Sequence, residues 1–168
     1  MDTDAPGNAS TPITIERPSD RELVVTRHFA ALRPLVFRAW SEAELFRRWW
    51  VPKSAPITLL SCEMNVHTGG SYRLVFSHPA APESLAFYGR YLDVVVPQRI
   101  VWTNEEAGES GQVTTVEFEA QGDGTRVVMH DLYPTKASLD EALDSGNTSW
   151  NNETFDQLDA VLAESLGG

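Results

Sequence analysis

The sequence predicts an α+β domain in which an antiparallel sheet packs against one long helix near the C-terminal end of the chain. The helix is predicted because apolar residues recur at steps of three and four between Ser149 and Leu166. The sheet is predicted because the chain between Ile57 and Tyr133 consists of short β-rich segments separated by turn residues. A helix with one apolar face must bury that face, and the sheet is the surface that the rest of the chain offers.

Length, composition and charge favour one acidic domain. The chain has 168 residues, of which 42% are hydrophobic, and this is enough for a single core. It carries 24 Asp and Glu against 13 Lys and Arg, a formal charge of -11 that repels nucleic-acid phosphates and anionic membrane surfaces. We therefore expect no nucleic-acid and no membrane partner. Neither a run of about 20 apolar residues nor a basic-then-apolar leader is present, which favours a cytoplasmic location.

The first elements follow from local signals. Residues 1–20 are rich in proline and small polar residues and are predicted to form a disordered tail, and residues 21–168 the single folded domain. A β-rich strand, residues 22–29, opens the fold. Pro34 suits the first turn of a helix, and Ser41-x-x-Glu44 matches a capping box that begins a second short helix. Two short helices are therefore expected after the first strand.

A sheet of about six or seven strands is predicted, because six further β-rich segments follow at residues 57–62, 72–76, 85–95, 99–103, 113–120 and 126–133. Gly122-Asp123-Gly124 predicts a tight hairpin turn before the last strand. Gly89 lies inside a long strand and suggests a bulge.

The C-terminal helices have capping and dipole signals. Ser138-x-x-Glu141 matches a capping box and predicts a short helix, and Ser149 can cap the long helix that follows. Glu153 places a negative charge in the first turn of the long helix, where the helix dipole favours it. The apolar face of this helix is formed by Trp150, Thr154, Phe155, Leu158, Val161 and Leu162.

Several motifs in a fixed order resemble one protein family. They are Trp49-Trp50-Val51-Pro52, Gly69-Gly70-Ser71-Tyr72, the stretch from Gly89 to Trp102, Gly124-Thr125-Arg126-Val127, and Trp150 before the final helix. The order is similar to that of the homologues of the activator of the heat-shock protein 90 ATPase, a stress-response family of the START-like, helix-grip superfamily. The resemblance covers about residues 22–166. It implies a curved antiparallel sheet wrapped around the C-terminal helix, with an apolar cavity between them.

The chain departs from the family pattern at three positions. Asn65 and His67 stand where relatives usually carry an acidic and a basic residue, and Asp131 stands at a polar position that is often histidine. The stretch before the first strand is also too short to be the additional N-terminal domain of the eukaryotic co-chaperone. These departures weaken the expectation of direct chaperone activation.

The resemblance implies that the cavity binds a small hydrophobic or amphipathic molecule. We expect aromatic and apolar residues to supply contact area and one or two polar groups to set orientation. The predicted ligand-binding residues are Trp49, Trp50, Phe76, Tyr91, Trp102, Phe118, Met129, Asp131, Trp150 and Phe155. The alternative is that these residues are ordinary core.

Two other functions stay open on the sequence. One is a chaperone-associated or regulatory protein-interaction module that uses the acidic outer surface, as a monomer or a homodimer. The other is an enzyme of the cyclase or lyase type with Asp131 as its candidate catalytic residue. Asp131 shares one face of the last strand with Met129 and Tyr133. This face is assigned to the interior, where burial would raise the pKa of Asp131. The competing interpretation is a frayed strand with a solvated Asp131.

The sequence supports no cofactor and no metal site. His28, His67, His78 and His130 lack metal-ligand spacing, and neither a phosphate loop nor a dinucleotide fingerprint is present. The single cysteine, Cys62, is interpreted as a small buried residue, with a reactive thiol as the alternative.

Overall fold

Eight antiparallel strands and four helices make up the fold in a computed structural model of the protein. The structure describes residues 13–51, 53–54, 56–80, 82–105, 112–144 and 147–167, with the side chains of residues 153–164 in the last range. The strands are β1 Thr14–Ser19, β2 Glu22–Phe29, β3 Thr58–Met64, β4 Ser71–Ser77, β5 Leu85–Val95, β6 Arg99–Asn104, β7 Gln112–Gln121 and β8 Gly124–Leu132. The helices are α1 Arg33–Ser41, α2 Ala43–Phe46, α3 Lys136–Asp144 and α4 Asn147–Gly167.

The strands lie in the order β1-β2-β8-β7-β6-β5-β4-β3. The sheet therefore has β1 and β3 at its edges, and β2 lies beside β8, which is distant in sequence. The register pairs Val25 of β2 with Met129 of β8, and Met129 in turn with Val116 of β7. These apolar residues therefore share the inner face. The predicted α+β helix-grip fold is confirmed, including the turn at Gly122, whose φ is +57°.

The strand count exceeds the prediction because Thr14–Ser19 forms β1, which pairs with β2 along the sheet edge. The prediction of a disordered tail is therefore wrong over these residues, while residues 1–12 lie outside the described part. Every side chain of β1 is exposed. Backbone hydrogen bonds to β2 hold the strand, so its side chains show no apolar alternation from which the sequence could have revealed it.

The two short helices after the first long strand are confirmed, with Pro34 in the first turn of α1. The capping box predicted for the second helix is not formed. Ser41 ends α1, and Glu42 precedes α2 without a side-chain cap. In α3 the capping pair lies one turn earlier than predicted. Thr135 Oγ1 accepts from the Ser138 N–H at 3.0 Å, and Ser138 Oγ accepts from the Thr135 N–H at 3.2 Å.

The helix α4 is held to the sheet by apolar burial and by one buried cation. Its residues Thr154, Phe155, Leu158, Val161 and Leu162 are buried, as the predicted stripe requires. From the inner face of β2, Arg27 reaches Asp156 at 3.2 Å and Asp159 at 3.6 Å. The guanidinium also lies 4.8 Å from the centre of the Phe29 ring. Burial lowers the pKa of Arg27, and the two carboxylates oppose this shift.

The core is centred on the Trp40 ring of α1. The Trp40 ring lies 4.7 Å from the Trp49 ring, 6.0 Å from Phe118 and 6.1 Å from Phe155, measured between centroids. Phe155 also meets Phe29 of β2 edge-on at 5.8 Å. Aromatic rings therefore fill the space between α4 and the sheet.

Candidate functional site

A cavity of about 60 Å³ lies between the inner face of strands β3 to β6 and the segment that runs from α1 through α2 to Trp50. The described residues that line it are Trp40, Phe46, Trp50, Met64, Tyr72, Leu74, Phe87, Tyr91, Trp102 and Asn104. None of the α4 side chains at residues 153–164 is among them. The described part of the wall thus lies on the sheet and on the α1–α2 segment, whereas the family resemblance predicted a cavity between the sheet and the C-terminal helix.

Strand register brings the sheet side of the cavity together. Leu74 of β4 is paired with Phe87 of β5, and Tyr91 of β5 is paired with Trp102 of β6. Because side chains alternate between the two faces of a strand, Asn104 shares the face of Trp102. The cavity is therefore built from residues that lie far apart in the sequence.

A missing side chain at Gly89 allows a tyrosine to cross β5. Tyr72 of β4 is paired with Gly89, and the Tyr72 hydroxyl donates to the Thr103 carbonyl of β6 at 2.7 Å. A Cβ on Gly89 would lie 2.9 Å from the Tyr72 ring and 2.0 Å from the Thr103 oxygen. The irregularity of β5 lies at Leu92 instead. Gly89 therefore marks a close approach, and the bulge suggested from the sequence is three residues further on.

Two polar groups of the wall lack a hydrogen-bond partner among the described residues. Tyr91 is 4% exposed, and no hydrogen bond involves its hydroxyl. Burial raises the pKa of Tyr91 well above its ordinary value, so the hydroxyl stays protonated. The indole Nε1 of Trp40 is buried and unpartnered as well, whereas Trp49 Nε1 donates to the Ala39 carbonyl at 2.9 Å.

A chain of hydrogen bonds leads from the wall to a buried carboxyl group. Asn104 Nδ2 lies 3.1 Å from Thr114 Oγ1, and the Thr114 hydroxyl donates to Asp131 Oδ1 at 2.5 Å. Gln112 Nε2 approaches the same oxygen at 3.5 Å. Burial raises the pKa of Asp131, and the two hydrogen bonds lower it in part. Asp131 is 6% exposed and does not line the cavity, so Thr114 and Asn104 stand between it and a bound molecule.

The helix α4 contributes to the site through the segment that carries Trp50. Gln157 Nε2 donates to the carbonyls of Trp49 at 3.1 Å and Val51 at 2.8 Å. Gln157 Oε1 accepts from the Lys53 N–H at 2.8 Å. The Trp50 ring stacks on Phe46 with centroids 4.6 Å apart. One glutamine of α4 thereby fixes the backbone on both sides of a wall residue.

The structure brings part of the predicted set together. Trp50, Tyr91 and Trp102 line the cavity. Buried residues outside its walls are Trp49, Phe76, Phe118, Met129, Asp131 and Phe155. The side chain of Trp150 lies outside the described part. Asn65 and His67, where the chain departs from its family, are exposed in the turn before Gly69 and Gly70.

Sequence reasoning missed several wall residues. Trp40 and Phe46 lie in the region of the two predicted short helices, and Asn104 comes just after the predicted strand at residues 99–103. The alternation of side chains along a strand could have identified Asn104, because it follows Trp102 at a spacing of two and so lies on the same face. No local signal identifies Trp40 or Phe87, because their contact with the cavity depends on how the helices dock.

Other chemistry has little support in the described part of the chain. Among the described residues no group of three or more His, Cys, Asp or Glu side chains is placed to hold a metal ion. Cys62 is half-buried, and burial raises the pKa of its thiol, which disfavours the reactive thiolate. Within the same residues, no helix has the length and apolar character needed to cross a bilayer.

Comparison with known proteins agrees with this architecture. The family model described as activator of Hsp90 ATPase homolog 1-like protein matches residues 30–163. A crystal structure from Rhodobacter sphaeroides is 24% identical with a TM-score of 0.82, covering 91% of this chain and 99% of that one. A solution structure from Staphylococcus epidermidis is 28% identical with a TM-score of 0.75, covering 90% and 94%. The AHSA1-like protein from Aeromonas hydrophila is 16% identical with a TM-score of 0.66, covering 86% and 93%. No curated protein matches the chain.

Proposed function

Because the chain belongs to the family of activator of Hsp90 ATPase homolog 1-like proteins, we propose that it binds a small, mainly apolar molecule in the cavity between strands β3 to β6 and the α1–α2 segment. The observation that carries the proposal is the cavity itself. It lies in a core that is otherwise closely packed with aromatic rings, and aromatic faces form much of its wall. Concave sites with apolar walls and a few polar groups are typical of small-molecule binding.

The size of the cavity limits the ligand. At about 60 Å³ it is far smaller than the roughly 300–1,000 Å³ of common ligand pockets. Phe87 is a wall residue and is 41% exposed. Its ring packs edge-on against Phe76 with centroids 5.2 Å apart, so turning Phe87 outward would widen the cavity at the cost of that contact. The proposed ligand is accordingly a single-ring molecule or one of similar bulk.

The expected affinity is modest. Burying about 150 Å² of apolar ligand surface contributes about 4 kcal/mol at roughly 25 cal/mol per Å². Association also costs translational and rotational freedom. A dissociation constant of about 1 mM or weaker follows for a single-ring ligand, so binding must be measured at high ligand concentration.

Benzene is a suitable first probe, because apolar cavities in protein cores can bind it. Binding would be followed by the shifts of the tryptophan indole N–H resonances, since Trp40, Trp50 and Trp102 line the cavity. We expect saturable shifts in the wild-type protein. Leu74→Trp places a larger side chain in the wall and should abolish them.

Phe118→Leu is the matched control, because Phe118 is buried in the core but does not line the cavity. It should lower the unfolding midpoint and leave benzene binding intact. An absence of saturable shifts in the wild type, or equal shifts in Leu74→Trp, would refute the proposal. If benzene binds, native mass spectrometry of protein purified from its own host would identify a natural ligand.

A further inference from the structure

The described walls of the cavity carry no charged side chain. A ligand ion would lose its hydration on entry and would find no opposite charge there, which costs several kcal/mol. The nearest buried carboxyl group, Asp131, is separated from the cavity by Thr114 and Asn104. The wall therefore selects an uncharged molecule.

The Tyr91 hydroxyl is the strongest sign of what else the ligand carries. Tyr91 is 96% buried, lines the cavity and makes no hydrogen bond to any described residue. Among the described residues, the Trp40 Nε1 is a fully buried atom without a partner, whereas the Tyr91 oxygen keeps some accessible surface at the cavity. The Tyr91 hydroxyl can therefore donate to a molecule in the cavity, since no described acceptor competes for it. A ligand oxygen in the cavity would supply the missing acceptor.

Two other polar groups of the same wall, those of Tyr72 and Trp40, can be compared with the Tyr91 hydroxyl. Tyr72 lines the same cavity, its ring lies 5.7 Å from that of Tyr91, and its hydroxyl donates to the Thr103 carbonyl at 2.7 Å. Unlike the Tyr72 hydroxyl, the Trp40 indole N–H lacks an acceptor among the described residues. An indole N–H can only donate. Tyr91 and Trp40 therefore both lack an acceptor, while Tyr72 already has one.

We propose that the ligand is an uncharged, mainly apolar molecule with one hydrogen-bond-accepting oxygen of carbonyl or hydroxyl type, and that Tyr91 selects this oxygen by donating its hydroxyl hydrogen to it. The inference rests on the proposed function, because it concerns the chemistry of a molecule in the same cavity. It assigns Tyr91 as the residue that determines specificity. It also predicts that shape alone does not decide which molecules bind.

Three single-ring probes test the assignment. Acetophenone presents a carbonyl oxygen, α-methylstyrene replaces that oxygen with a methylene group in nearly the same shape, and benzoate carries a negative charge. Dissociation constants are measured by NMR titration of the full chain. We expect wild-type protein to bind acetophenone about 5- to 10-fold more tightly than α-methylstyrene, with benzoate the weakest.

Two tyrosine variants separate selection from packing. Tyr91→Phe keeps the ring and removes the unpartnered hydroxyl, so acetophenone and α-methylstyrene should bind with nearly equal affinity. Tyr72→Phe is the matched control in the same wall and should retain the preference for acetophenone. Because the Tyr91 hydroxyl has no partner to lose, Tyr91→Phe should keep or raise the unfolding midpoint.

Each outcome is decisive. If benzene binds the wild type but none of the three probes does, the inference fails while the proposed function stands. If benzene does not bind either, both fail. If both neutral probes bind with equal affinity, or if Tyr91→Phe keeps the preference, the inference is overturned while the proposed function stands. Tighter binding of benzoate would overturn the assignment of an uncharged ligand.

Discussion

Replacing Arg27 with methionine should change the stability of the fold much less than neutralising the two carboxylates that face it. The Arg27 side chain is only 2% exposed, while those of Asp156 and Asp159 are 56% and 45% exposed. The Nε of Arg27 is buried without an acceptor among the described residues. Arg27 is therefore the partner that loses hydration on folding, and the two aspartates are the partners that compensate for it.

The burial of each charged partner determines how much its replacement changes the free energy of unfolding. Breaking a fully buried ion pair by removing one partner costs about 3–5 kcal/mol, because the other charge stays buried and uncompensated. Solvent screens the two aspartates, so Asp156→Asn with Asp159→Asn should cost about 2–3 kcal/mol. Arg27→Met loses weak pairs and a cation–π contact with Phe29 but removes the desolvated charge. Its net effect should stay within about 1 kcal/mol.

Urea unfolding followed by tryptophan fluorescence measures both effects, provided that the slope of free energy against urea concentration stays constant. A difference of about 2 kcal/mol between the variants corresponds to about 4–8 °C in thermal midpoint. Asp140→Asn is the control, because Asp140 forms exposed ion pairs with Arg17 and Lys136, and it should leave the midpoint unchanged. If Arg27→Met destabilises the protein as much as the double aspartate variant, the reasoning is refuted.

Three further predictions concern residues around the cavity. Burial raises the pKa of Asp131 above its ordinary 3.8, so ionisation opposes folding, and wild-type stability should fall as the pH rises from about 4 towards the raised value. Asp131→Asn should lack this decline. If the stability of both proteins changes with pH in the same way, the decline does not come from Asp131. Gly89→Ala should destabilise the fold by more than about 2 kcal/mol in urea unfolding, because the new Cβ would lie 2.0 Å from the Thr103 oxygen. A variant as stable as the wild type would show that the strands do not approach this closely. Gln157→Leu should accelerate hydrogen exchange at the Lys53 amide, which donates to Gln157 at 2.8 Å; unchanged exchange would show that the bond is dispensable.

Periodic burial explains why the sequence predicted most of the fold. The α4 stripe and the alternation along β7 and β8 each place apolar residues on one face, and the buried residues follow these patterns. The strand β1 was missed because all its side chains are exposed. The sequence of strand β2 also contains a signal for a buried charge that the sequence analysis did not use. Arg27 occupies an inward position between Val25 and Phe29, which predicts a buried cation that needs a partner.

The candidate site was predicted only in part, because its walls depend on register and docking. Three residues that were predicted to contact a ligand, Trp50, Tyr91 and Trp102, line the cavity, and all three are large aromatic residues. Phe87 and Trp40 could not be assigned to a wall from their neighbours in the sequence. Their role depends on where α1 and α2 rest against the sheet.

The sequence by itself determined the fold class, the order of most elements and the long helix, because hydrophobic periodicity and turn chemistry are local properties of the chain. It also carried the family resemblance that the residue 30–163 match confirms. Only the tertiary structure decided where the empty space lies. Rings from α1, β2, β7 and α4 fill the volume under the long helix, and Gly89 lets Tyr72 cross β5. Cavity position is a property of packing between distant segments, and no local pattern encodes it.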